Sequence, residues 1–243
     1  MANLYPGGHK GDYTLNLRED PAYMSTGSFP CPVCGGSFRA LKLRDVKLIP
    51  LRTGELRTQF KDVEPLYYEI TTCPNCRYSA QTAMFDKLLT SRRKMILEKL
   101  TPYLPELMPW SESPASAGAV FERYYLALLC AGAGFADREL VEAGLWCKLS
   151  GVYADAGDAG MEAYAAGEAQ KAYLTAFQNL RIQPVKFPSL NLRIGLLSVK
   201  IGDVKTARDF LYKVKLDPNS TRVQKDGADD AINELKETVT DHA

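Results

Sequence analysis

A chain of 243 residues with a formal net charge of +1, 46% hydrophobic and 24% charged, has the make-up of a folded globular protein. That balance excludes a disordered or collagen-like chain, and no apolar run approaches the roughly 18 residues that a membrane helix needs. Residues 31–84 lean basic and residues 101–180 lean acidic, yet neither carries the basic stripe typical of nucleic-acid binders.

The chain begins MANLYPGGHKGDY, without a basic segment leading into an apolar one. No export signal is read there, and a cytoplasmic location is expected. Residues 1–28, rich in Gly, Tyr, Pro and Asp and without periodicity, read as an arm packed loosely on the body or partly mobile.

Residues 29–84 read as strands and turns. LKLRDVKLIPL (41–51) places apolar residues at Leu41, Leu43, Val46 and Leu48. A turn at Arg52-Thr53-Gly54-Glu55 then leads to a second extended stretch, EPLYYEITT (64–72). Residues 85–118 read as a helix and a connector. DKLLTSRRKMILEKL is helical in composition, with a helix expected over 87–99, and the prolines of TPYLPELMPW break it.

From about residue 119 to 243 the pattern is helix, turn, helix. Helices are expected near 119–132, 138–156, 159–181, 189–201, 204–215 and 224–239. Trp146, Leu149, Ser150 and Tyr153, followed by Ala169, Tyr173 and Ala176, match the two halves of a tetratricopeptide repeat, with the second half about seven residues late. Seven residues are two helical turns, so the apolar face keeps its direction. Ile194, Gly195 and Ser198, then Asp203, Ala207, Leu211 and Val214, read as a second copy, the alternative being an ordinary helical bundle. Ala228, Ala231, Ile232, Leu235 and Val239 give the last helix one apolar stripe, suited to capping the array.

The paired motifs CPVCGG (31–36) and CPNCRY (73–78) carry the strongest chemical signal. Each C-P-x-C is a tight turn that puts two thiolates on one side, and the intervening residues 35–72 suffice for two strands out and back. Four soft thiolates select zinc, so Cys31, Cys34, Cys73 and Cys76 are expected to bind one structural Zn²⁺. Such a site is coordinatively closed and leaves no position for water or substrate. Arg77 stands beside the second knuckle. Cys130 and Cys147, in apolar helical runs, read as small buried hydrophobes.

Signals for catalysis are weak. The two histidines, His9 and His242, lie at the termini, leaving the folded body without one. GAGFAD (132–137) lacks the strand and lysine of a phosphate loop and reads as a helix–helix turn. Asp155, Asp158 and Glu162 read as a solvated turn. An enzyme is therefore not expected. Arg77, Arg92, Arg93 and Lys94 are candidate anion contacts. Ser189, Leu192, Leu196, Val199 and Lys200 are candidate groove positions, open to a peptide or covered by the final helix.

CPVCGG, the strand pair ending in LYYEITTCPNCRYSA, Phe85 and the helical part together resemble a bacterial family of uncharacterised conserved proteins. The resemblance is strongest over residues 29–86. It implies metal ligation by Cys31, Cys34, Cys73 and Cys76 and a bacterial cytosolic protein, and it supplies no reaction or substrate. The family usually has glycine where Arg77 stands.

The expected fold is α+β: a small zinc ribbon followed by an all-α, tetratricopeptide-like domain. The expected function is a non-enzymatic adaptor for a protein partner, with no membrane insertion. The alternative is a nucleic-acid-binding accessory protein using the ribbon and the basic 87–99 helix.

Overall fold

The computed structural model describes residues 3–44, 48–54 and 56–240. Three antiparallel strand pairs come first: β1 (Met24–Pro30) with β2 (Ser37–Leu43), β3 (Pro50–Thr53) with β4 (Thr58–Phe60), and β5 (Ile70–Thr72) with β6 (Ser79–Gln81). Seven helices follow: α1 (Arg93–Leu100), α2 (Ala117–Gly134), α3 (Arg138–Asp155), α4 (Ala159–Asn179), α5 (Phe187–Lys200), α6 (Val204–Leu216) and α7 (Arg222–Thr240). No described helix is long and apolar enough to cross a membrane.

Local chemistry explains where the strands depart from the periodic reading. The stretch expected over 41–51 is divided between β2 and β3, and Val46 lies outside the described residues, as does Glu55 of the expected turn. EPLYYEITT is not one strand. Pro65 has no N–H to give a ladder, and the Glu64 carboxylate accepts from Leu66 N at 3.2 Å, so Pro65–Tyr67 forms a 3-10 turn before β5. The expected 87–99 helix is shortened to α1 because Leu88 lies across the end of α2; a Cβ on Gly134 would come within 2.7 Å of its Cδ1.

The helices form two tetratricopeptide-like hairpins, α3–α4 and α5–α6, with equivalent turns. Gly157 and Gly202 end the first helices at φ 72° and 77°. Asp158 and Asp203 then cap the second helices by accepting from Met161 N (3.0 Å) and Thr206 N (3.1 Å). The delayed second half of the first copy appears as length: α4 has 21 residues and α6 has 13. Gly195 permits close approach of α5 and α6, since a Cβ there would lie 2.6 Å from Leu211 Cδ2. Between the hairpins, buried Gln170 Nε2 donates to Ser198 Oγ (2.8 Å) and Asp203 Oδ2 (3.0 Å).

The ribbon and the helices share one core. Cys31, Cys73, Cys76, Tyr78 and Phe85 pack in the same buried cluster as Ile96, Phe121, Tyr124 and Tyr153. Ala228, Ala231, Ile232 and Leu235 of α7 close the far end against Leu192 of α5 and Leu211 of α6. The side chain of Val239, on the expected stripe, lies outside the described residues, as does His242.

The N-terminal segment lies on the body through aromatic contacts. Its last residues belong to β1, and His9 stacks on Tyr5 (4.2 Å between ring centres, 6° between planes). His9 Nδ1 lies 2.7 Å from Tyr153 Oη, and Tyr153 Oη lies 2.6 Å from Tyr125 Oη. Thus one histidine does enter the folded body, contrary to the sequence reading. Aromatic packing holds it there, a cause that leaves no periodic trace in a short segment.

Candidate metal centre

The two knuckles are built alike. In the first, Cys31 N–H donates to Gly36 O (2.9 Å) and Gly35 N–H to Cys31 O (3.0 Å); in the second, Cys73 N–H donates to Tyr78 O (2.9 Å) and Arg77 N–H to Cys73 O (3.0 Å). Pro32 and Pro74 preset φ in each turn. The position after each second cysteine is left-handed, Gly35 at φ 77° and Arg77 at φ 60°. Arg77 thus keeps the backbone path that glycine would give, and its Nη2 donates to Met108 O at 2.9 Å. The knuckles also touch, since a Cβ on Gly36 would lie 2.6 Å from Asn75 Nδ2.

This arrangement brings all four sulfurs within 4.8 Å of one another. Across the knuckles, Cys31 Sγ is 3.6 Å from Cys76 Sγ and Cys34 Sγ is 3.7 Å from Cys73 Sγ. A tetrahedral ion with metal–sulfur bonds near 2.3 Å has edges of about 3.8 Å, so the set is compatible with a zinc site. Cys31, Cys73 and Cys76 are buried, and Cys34 faces the surface.

Backbone N–H groups of Val33 and Cys34 point at Cys31, and those of Asn75 and Cys76 at Cys73. Contact with the Cys31 thiol, and then with that of Cys76, pushes Cys73 down, while contact with Cys73 pushes Cys31 up to about 11 against the opposing pull of Cys76. Sulfurs this close cannot all ionise without a cation among them.

The other candidate residues do not join this centre. Arg92 and Arg93 stand in solvent at the start of α1, and Lys94 faces Glu98 at 3.8 Å on the exposed side. Of the groove positions, Leu192 is fully buried beneath α6 and α7, and Ser189 Oγ accepts from Gln224 Nε2 of α7 at 2.8 Å. Lys200 pairs with Glu162. Leu196, Val199 and Lys200 instead line a cleft of about 430 Å³ with Leu56, Gln59 and Glu234.

That cleft adjoins a larger one, about 580 Å³, on the other side of the β3–β4 turn; Gly54, Leu56 and Arg57 line both. Arg57 fixes the turn to the helices. Its Nη1 donates to Gly151 O (3.1 Å) and Asp155 Oδ1 (2.9 Å), and its Nη2 donates to Glu64 Oε2 (2.6 Å) and Asp155 Oδ2 (2.7 Å). Burial alone would lower its pKa, but Asp155 and Glu64 hold it above the usual arginine range. Nearby, Tyr124 Oη lies 2.8 Å from both Leu66 O and Glu69 Oε1, and Lys148 pairs with Glu69.

The sequence reading missed this network. Asp155, Asp158 and Glu162, read as a solvated turn, are all engaged: Asp155 with Arg57, Asp158 with α4 and with Lys10 (2.9 Å), and Glu162 with Lys200. No signal in the sequence joins positions 57 and 155.

The chain belongs to a family described as an uncharacterized protein conserved in bacteria (DUF2225), whose model matches residues 24–239. The match runs from the start of β1 into α7 and contains all four cysteines. No curated protein and no solved structure matches the chain.

Proposed function

We propose that the protein is a non-enzymatic adaptor in which one zinc ion fixes the ribbon, and the ribbon and helical hairpins together hold a segment of a protein partner. The observation that carries this reading is the pair of adjoining clefts around Leu56 and Arg57. They are walled on one side by the β3–β4 turn and on the other by α3, α5 and α7, so neither part makes the surface alone. Their lining mixes apolar side chains (Leu56, Leu66, Leu196, Val199) with charges of both signs (Lys148, Glu69), which suits a peptide with apolar anchors.

The donor set supports zinc: four thiolates at tetrahedral spacing would satisfy the ion completely and give it a structural role. The purified protein is expected to carry one zinc per chain, lost in Cys73→Ser.

A photo-crosslinking amino acid at Leu196 or Val199, with Asp209 on the outer face of α6 as control, tests the adaptor reading. A protein adduct from the cleft positions that withstands nuclease, and is absent at Asp209, is the expected result. Adducts lost on nuclease treatment would move the function to nucleic acid, with Arg92 and Arg93 as its first contacts.

A further inference from the structure

A separate cavity, about 420 Å³, lies between the N-terminal segment and helices α1 to α4, away from the clefts around Arg57. Four aromatic side chains wall it: Tyr5, Tyr125, Trp146 and Tyr164. Their planes turn through near right angles from one to the next. Tyr5 and Tyr125 meet at 84°, Tyr125 and Trp146 at 79°, and Trp146 and Tyr164 at 85°, with ring centres 5.3 to 5.9 Å apart.

One carboxylate completes the lining. Glu142 stands one turn before Trp146 on α3, so the two share a helix face. It is half-buried, makes no hydrogen bond or ion pair among the described residues, and burial raises its pKa. The α2 backbone leaves it room, because a Cβ on Gly132 would lie 2.8 Å from its Oε1. The other charges near Glu142 are Lys99 of α1, at the rim, and Arg138 and Glu139 at the start of α3.

We propose that this cavity binds an organic cation with a methylated ammonium group, held by Trp146 and Tyr164 at its open side and neutralised by Glu142. Aromatic faces attract a cation through their quadrupoles, and methylation removes the N–H groups that would otherwise demand hydrogen-bond acceptors. A half-buried carboxylate without a hydrogen-bond donor is the complement such a ligand lacks in a purely aromatic pocket. Lys99 places the chain's own ammonium at the mouth, where it competes with an entering cation and would favour an anion.

The probes are choline, tetramethylammonium and 3,3-dimethylbutanol, the neutral isostere of choline, titrated into the intact protein while the two indole N–H resonances are followed. Choline and tetramethylammonium are expected to shift the Trp146 signal saturably, while Trp110, whose Nε1–H donates to Thr72 O at 2.9 Å, stays in place. Glu142→Gln and Tyr164→Leu, both at partly exposed positions, are expected to weaken binding about 2- to 30-fold each. Lys99→Ala is expected to tighten it. Absence of a saturable shift, equal binding of the neutral isostere, or weaker binding in Lys99→Ala would each overturn the proposal.

Discussion

Arg77 stands in the second knuckle where Gly35 stands in the first: both residues have positive φ, 60° and 77°, and both send their N–H to the carbonyl of the knuckle's first cysteine at 3.0 Å. A left-handed backbone costs a side chain about 1–2 kcal/mol. Arg77→Gly removes that strain but also the hydrogen bond to Met108 O, a contribution of about 1 kcal/mol. Urea denaturation should place Arg77→Gly within about 1 kcal/mol of the wild type. Arg77→Val, branched at Cβ, should lose about 2 kcal/mol or more.

Arg57 joins a turn in the ribbon to α3 through the Asp155 carboxylate and the Gly151 carbonyl, and also pairs with Glu64 of the ribbon, with its side chain only 19% exposed. Arg57→Met leaves Glu64 and Asp155 without their partner in a half-buried site. We expect a loss of about 2–4 kcal/mol in chemical denaturation. The paired substitution Arg57→Met with Asp155→Leu should lose less than the sum of the two singles.

Two helical glycines should respond with opposite signs. At Gly195 an added methyl would lie 2.6 Å from Leu211 Cδ2, so Gly195→Ala should cost about 1–3 kcal/mol despite better helix propensity. At Gly144, inside α3, nothing lies within 4 Å of that methyl. Gly144→Ala should gain about 0.5–1 kcal/mol, read from thermal melts of the two variants.

Burial lowers the His9 pKa to about 4 from a model-peptide value of about 6.5, although Asp158 pulls the other way. The unfolded chain therefore binds this proton first, and the contribution of His9 to stability falls as pH drops from about 6.5 to about 4. Denaturation midpoints measured across that window should fall more steeply in the wild type than in His9→Phe. The difference between the two curves isolates His9 from acid effects shared by both proteins.

Because Cys31, Cys73 and Cys76 share a buried cluster with Phe121, Tyr124 and Tyr153, the metal centre and the first helices should melt together. A chelator is expected to lower the midpoint of one cooperative helical transition. Loss of ribbon signals with an unchanged helical melt would show that the shared core does not couple them.

The sequence is most legible where one physical cause acts locally. Periodic apolar residues and Gly-Asp turns locate α3 to α7 within about two residues, and the paired C-P-x-C turns identify the four cysteines that converge. Features needing a distant partner are not legible. Nothing near Arg57 announces Asp155, nothing near His9 announces Tyr153, and Leu192, apolar on either reading, is recognised as core only once α7 lies over it. Pro65 lies between these cases: its missing N–H is local chemistry, but the β-rich residues around it obscure the turn.

The shared core also bears on the order of synthesis. Both knuckles have left the ribosome once Cys76 is free, so an ion can be captured then, while Phe121 and Tyr124 of α2 and Tyr153 of α3 are still to come. Over that interval the nascent ribbon shows Tyr78 and Phe85, buried in the finished protein, to its surroundings. Their cover arrives with the helices, so the ribbon's apolar face is closed only once residues up to Tyr153 have been made.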